Sequence, residues 1–113
     1  MDVQAVRDHA QAYCDALVAG EVDRAAESFS PELRSNLGAV IAQLPLPLTE
    51  ATVESVEPGG KGYVAILRLV GESRELRFQT RWKERDGNPT IVEASHVAEE
   101  EAPAAANLEE SAD

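Results

Sequence analysis

Cysteine is almost missing from this chain. Cys14 stands alone, so neither an intrachain disulfide nor a cysteine-rich zinc site can form. Aromatic residues are also few: Tyr13, Phe29, Tyr63, Phe78 and Trp82 are the whole set, which leaves most of a core to aliphatic side chains. Positive charge is scarce, with 10 Lys and Arg against 21 Asp and Glu and a formal net charge of -11. An overall field of that sign argues against nucleic acid and against an anionic membrane surface as partners. No long apolar run is present either. The longest uncharged stretch, Ser35 to Thr49, is too short to span a bilayer and carries Pro45 and Pro47. Asp2, Arg7 and Asp8 fall within residues 1–11, so no export leader is expected and a cytoplasmic location is. Pro58-Gly59-Gly60-Lys61-Gly62 leads into no helical pattern and reads as a turn, not a phosphate-binding loop.

At 113 residues the chain suits one domain. Val3, Val6, Ala10, Tyr13 and Leu17 recur at helical spacing, and Gly20 is placed to end that helix. A shorter helix is expected from Val22 to Phe29. Ser30 followed by Pro31 is a helix start, and Leu33, Leu37, Val40, Ile41 and Leu44 give the third helix its apolar side as far as Pro45. Beyond Leu48 the period becomes two. Strands are expected over 49–57, 62–70, a third in which Leu76, Phe78, Thr80 and Trp82 alternate with charged or amide residues, and 89–98. Asp86-Gly87-Asn88 is the hairpin loop between the last two. Helices followed by strands predict an α+β fold with helices on one face of an antiparallel sheet. Residues 1–98 form that domain. Residues 99–113 carry six acids and no base, and are expected to be an acidic, disordered tail.

The run Tyr13-Cys14-Asp15-Ala16-Leu17-Val18-Ala19-Gly20-Glu21-Val22-Asp23, followed by a helix that ends in Phe29, resembles the nuclear transport factor 2-like superfamily. Phe78 to Gly87 and Ile91-Val92-Glu93 resemble its C-terminal hairpin, and the likeness spans about residues 3–98. It implies a strongly bent sheet wrapped around the helices, forming a cone that often holds a ligand. Members include steroid isomerases, dehydratases, epoxide hydrolases, polyketide cyclases, carrier-binding proteins and small non-enzymatic domains, so the fold alone assigns no reaction.

In the steroid-isomerase branch, a tyrosine and a buried acid hold the oxyanion and an aspartate is the base. Tyr13 falls at the tyrosine's position. Phe29-Ser30-Pro31-Glu32 runs straight into a helix where the base-bearing loop would be, and Thr80 stands at the buried acid's place. Glu32 is explained by the start of its helix. His96 is the one candidate for the hydrolase and dehydratase branches, and its face depends on the hairpin register. A three-residue loop sets Trp82 opposite Val92 and Phe78 opposite His96, with His96 inside; a one-residue slip sends Glu93 and Ser95 inward instead. His9, with Asp8 and Glu21, has no metal-ligand spacing, and Cys14 reads as a small apolar core residue. No metal and no cofactor are expected.

Tyr13, Thr80, Trp82 and His96 are therefore the candidate ligand-binding residues, lining one cone pocket for a small apolar molecule. The 62–70 strand is apolar on both sides: Tyr63, Ala65, Leu67 and Leu69 on one, Val64, Ile66 and Val70 on the other around Arg68. An outer sheet face needs no such aliphatic ridge. It marks a homodimer interface of Val64, Ile66 and Val70 with Arg77 and Arg81, an arrangement the superfamily resemblance also implies. A non-catalytic binding or association domain is the reading favoured. The alternative is an isomerase, dehydratase or hydrolase using Tyr13 and His96.

Overall fold

The structure is a computed structural model that describes residues 2–101, with side chains described as far as Val97. Helix α1 spans Val3–Val18. The Asp2 carboxylate accepts a hydrogen bond from the Ala5 amide at 2.8 Å, which satisfies one of the helix's free N–H groups. Of the expected stripe the helix buries Val6, Ala10, Tyr13 and Leu17, together with Cys14 and Ala16, but Val3 in the first turn is 39% exposed. Gly20 follows with φ +79, a left-handed conformation that glycine adopts without steric cost.

The next helices are shorter than the apolar pattern suggests. α2 covers only Val22–Ala26, not the expected stretch to Phe29. The cause is the sheet: the Ser30 amide donates to the Ile91 carbonyl at 2.8 Å and the Ile91 amide to the Ser28 carbonyl at 2.7 Å. The backbone around Phe29 is thereby drawn out of the helix into a parallel bridge with Ile91. α3, Pro31–Arg34, starts as expected, with Ser30 Oγ accepting from the Leu33 amide at 3.1 Å. The single helix expected up to Leu44 is in fact two. Ser35 Oγ donates to the Glu32 carbonyl at 2.7 Å, Asn36 leaves helical geometry with φ -109 and ψ 22, and α4 resumes over Leu37–Ala42.

Four strands follow: β1 Glu50–Gly59, β2 Gly62–Val70, β3 Arg74–Arg85 and β4 Asn88–Glu101. They form one antiparallel sheet in sequence order, so the fold class is α+β as expected. One face carries Ala51, Val56, Ala65, Leu67, Leu69, Leu76, Phe78, Trp82 and Ile91, all buried in one core with α1. β1 keeps this pattern by an extra residue at Glu54: Val53 pairs with Leu67 and Ser55 with Ile66, so Val56 returns to the core opposite Ala65.

The last hairpin corrects the expected loop. Asp86 (φ 54) and Gly87 (φ 82) make a two-residue turn, and Asn88 already pairs with Arg85. Two successive positive φ values match the twist of the flanking strands. Trp82 then faces Ile91 rather than Val92. A bulge at Val92 supplies the missing residue, because Arg81 pairs with Glu93, and beyond it Phe78 faces His96 as expected. β4 continues to Glu101, pairing with Arg74, and so takes in three residues that the sequence assigned to the tail. The expectation of a disordered tail otherwise concerns 102–113, outside the described residues. No helix among the described residues is long and apolar enough to cross a membrane.

Candidate functional site

Thr80 and Trp82 lie side by side on the inner face of β3, both fully buried. The indole Nε1–H donates to Thr80 Oγ1 at 2.8 Å, and the Thr80 hydroxyl donates to the Ala65 carbonyl at 3.1 Å. These bonds tie β3 to itself and to β2 and use the polar handles that would orient a cone ligand. Buried polar groups of this kind lose heavily if left unpaired, and here they are paired.

Tyr13 reaches the core from α1. Its ring centroid is 5.9 Å from that of Phe29, at a tilt of 40°. It is 2% exposed, and its hydroxyl, also buried, has no hydrogen-bond partner. Burial, with a smaller contribution from the neighbouring Cys14, pushes the phenol well above its ordinary range. The Cys14 thiol is pushed up to about 12, chiefly by burial and then by Asp15. It is a neutral core group.

His96 is on the same face as its partner Phe78, yet it is exposed. The physical reason is coverage: α1 packs chiefly on β1 and only lightly on β4. Next to it, Val97 is 56% exposed. Tyr13 sits beside Phe29, which bridges Ile91, and His96 lies about 13 Å further along the sheet, four strand steps on β3 from Trp82 to Phe78. The four residues singled out from sequence are therefore not gathered around one open cavity. Thr80 and Trp82 are bonded to each other inside the core, Tyr13 is at one end of the sheet's inner face, and His96 is on the rim.

The outer face is organised differently. Along β2, Val64, Ile66, Arg68 and Val70 are all half-buried. Arg68 and Arg77 are directly opposite one another, a repulsive pairing taken alone. Carboxylates from both sides relieve it. Arg68 binds Glu75 at 2.7 Å and Glu50 at 3.3 Å, Arg77 binds Glu54 at 2.8 Å, and Arg81 binds Glu93 at 3.1 Å. Glu54 is the bulge residue of β1, so the irregularity aims its carboxylate across the sheet. Hydrogen bonding to Glu75 raises the Arg68 pKa above its ordinary value, and Glu75 itself is 7% exposed although it stands on the outer face.

One feature escaped the sequence entirely. A cleft of about 570 Å³ opens between α1, α2 and the β3–β4 turn, with Tyr13 and Phe29 among its walls. Glu27, Asp86 and Thr90 also line it. No periodicity or spacing joins these positions, because it is the bridge at Phe29 that brings α2 up to the hairpin tip.

No family model matches the chain, and no curated protein does. Among solved structures it is similar to an NTF-2 like protein of unknown function from Burkholderia xenovorans LB400, with a TM-score of 0.59, 18% identity and 88% of each chain covered. Helices followed by a four-stranded antiparallel sheet, together with this match, define a nuclear transport factor 2-like fold.

Proposed function

We propose that this chain is a non-catalytic association domain whose outer sheet face pairs with a second copy of itself. The observation that carries the reading is the half-buried ridge of Val64, Ile66 and Val70, set among arginines whose charges are already matched. A partner that covers this face buries aliphatic surface without stranding a charge, the condition that makes charged interfaces tolerable. The rows of the face favour a copy. Glu57, Val64 and Arg81 stand in one line across β1, β2 and β3, and Ser55, Ile66 and Gln79 in the next. A two-fold axis running along β2 lays the acidic β1 side of one copy over the basic β3 side of the other. Ridge then meets ridge, and Glu57 approaches Arg81. The cone interior serves in this reading as scaffold, since Thr80 and Trp82 satisfy each other.

Sedimentation velocity at high micromolar concentration tests it. The parent protein is expected to sediment as a dimer and Ile66→Glu as a folded monomer, because a carboxylate in the ridge is buried there without a partner. A monomeric parent protein removes the proposal.

A further inference from the structure

We infer that the cleft between α1, α2 and the β3–β4 turn is a binding site for a small organic ammonium ion with an apolar body. It lies apart from the outer sheet face and does not depend on the association proposed above. Its volume of about 570 Å³ is that of a small-molecule site.

The charges sort the ligand class. Two guanidiniums, Arg24 and Arg85, line the cleft. Arg24 is paired with Glu21 and Arg85 with Glu32, the latter at 3.1 Å. Glu32 is held ionised by its own backbone amide and then by Arg85. Glu27 and Asp86 also line the cleft, and neither carboxylate has an ion-pair or hydrogen-bond partner among the described residues. The uncompensated charge facing the cavity is therefore negative, within a chain of net charge -11. Long-range attraction and local charge both select a cation.

The wall chemistry specifies its body. Tyr13 and Phe29, 2% and 3% exposed, back the cleft with aromatic rings whose quadrupole attracts an ammonium, and Ala12, Pro31 and Pro89 supply apolar wall for its hydrocarbon part. The buried Tyr13 hydroxyl without a partner is a second sign of an incomplete site, since such groups normally carry a hydrogen bond. His9, the cleft's other titratable ring, turns Nδ1 toward the Ala5 carbonyl of its own helix at 2.9 Å. The hairpin tip forms one wall. Its two-residue turn, with positive φ at Asp86 and Gly87, sets Asp86 at the cleft.

The test is an amide-resolved NMR titration of the full chain with three probes of similar size: 2-phenylethylammonium, 2-phenylethanol and 3-phenylpropionate. The ammonium is expected to give saturable shifts at Tyr13, Ser28, Asn88 and Thr90, weakened by added salt. Glu27→Gln and Asp86→Asn should each loosen it about two- to fivefold. Both positions are exposed, and asparagine tolerates the positive φ at residue 86, so the variants keep the fold. Equal binding of the alcohol or the carboxylate, unchanged affinity in the double variant, or no saturable shift with the ammonium overturns the assignment. Sedimentation of the same samples separates it from the dimer proposal, since Ile66→Glu should bind the ammonium as the parent protein does.

Discussion

The two faces of the sheet use polar groups in opposite ways. On the inner face they are few, and those at its centre are spent internally: Thr80 takes the Trp82 N–H and gives its own proton to Ala65. On the outer face they are many and form an ion-pair ladder, Glu50–Arg68–Glu75 and Glu54–Arg77, with aliphatic side chains between the rungs. The first arrangement fixes a single packed state. The second contributes little to the stability of one chain, because partly exposed pairs are worth little. In the reading proposed above, it keeps the surface neutral enough to be covered, so that stability and association would fall to different faces of the same strands.

The comparison breaks most sharply at Trp82. Replacing it with Ala should cost about 3–5 kcal/mol in denaturant unfolding, since the indole is fully buried among Phe78, Ile91 and α1 residues. A smaller but still inner-face loss is expected for Thr80→Val. It strands the indole N–H, and about 1–3 kcal/mol should disappear from the same measurement. If either substitution leaves stability intact, the inner face is not the scaffold described.

Alkaline titration should sharpen the contrast further. Cys14 has its folded pKa raised to about 12 from an ordinary 9.0, so above the lower value the unfolded chain loses a proton that the native chain keeps. Stability contributed by the neutral thiol is complete below pH 9 and declines as pH rises toward 12, by about 1.4 kcal/mol for each pH unit. Tyr13 adds a limb of the same sign above its ordinary value of 10.0. Cys14→Ala should flatten the lower part of this decline in pH-dependent melts; an unchanged slope would place the thiol in water. The smallest effect is expected at Tyr13→Phe. The hydroxyl has no partner to lose, so the change in unfolding free energy should be within about 0.5 kcal/mol, and stabilisation is the more natural sign.

Much of this was legible in the sequence where a pattern and its cause are local. The α1 stripe, the Ser30-Pro31 start and the Leu76-Phe78-Thr80-Trp82 alternation each declare their own face, and the structure has them so. The resemblance carried by Tyr13 to Asp23 and by the last hairpin pointed to the same fold as the similar solved structure. What was not legible is set by single inserted residues and by coverage from elsewhere. The bulge at Val92 offsets the two-residue turn, so the register at His96 came out as expected while that at Trp82 did not. A short serine-backbone bond at Ser35 splits a helix whose apolar period runs on unbroken. His96 has the inward-facing position read from its register, but α1 packs mainly on β1 and leaves it exposed. The candidate site dispersed for the same reason. Residue type suggested Thr80 and Trp82 as ligand handles, and only their separation along one strand face shows that they serve each other.

The division of labour between the two faces is tested most directly by the dependence of Tm on protein concentration, followed for the parent chain and for Ile66→Glu across a hundredfold range. An interface that forms only between folded copies stabilises them by mass action. The parent Tm should therefore rise steadily with concentration, while the Ile66→Glu Tm stays flat and meets the parent value at high dilution. A parent Tm independent of concentration, or a Tm of Ile66→Glu depressed equally at every concentration, would contradict the account by showing that the ridge belongs to the fold of one chain.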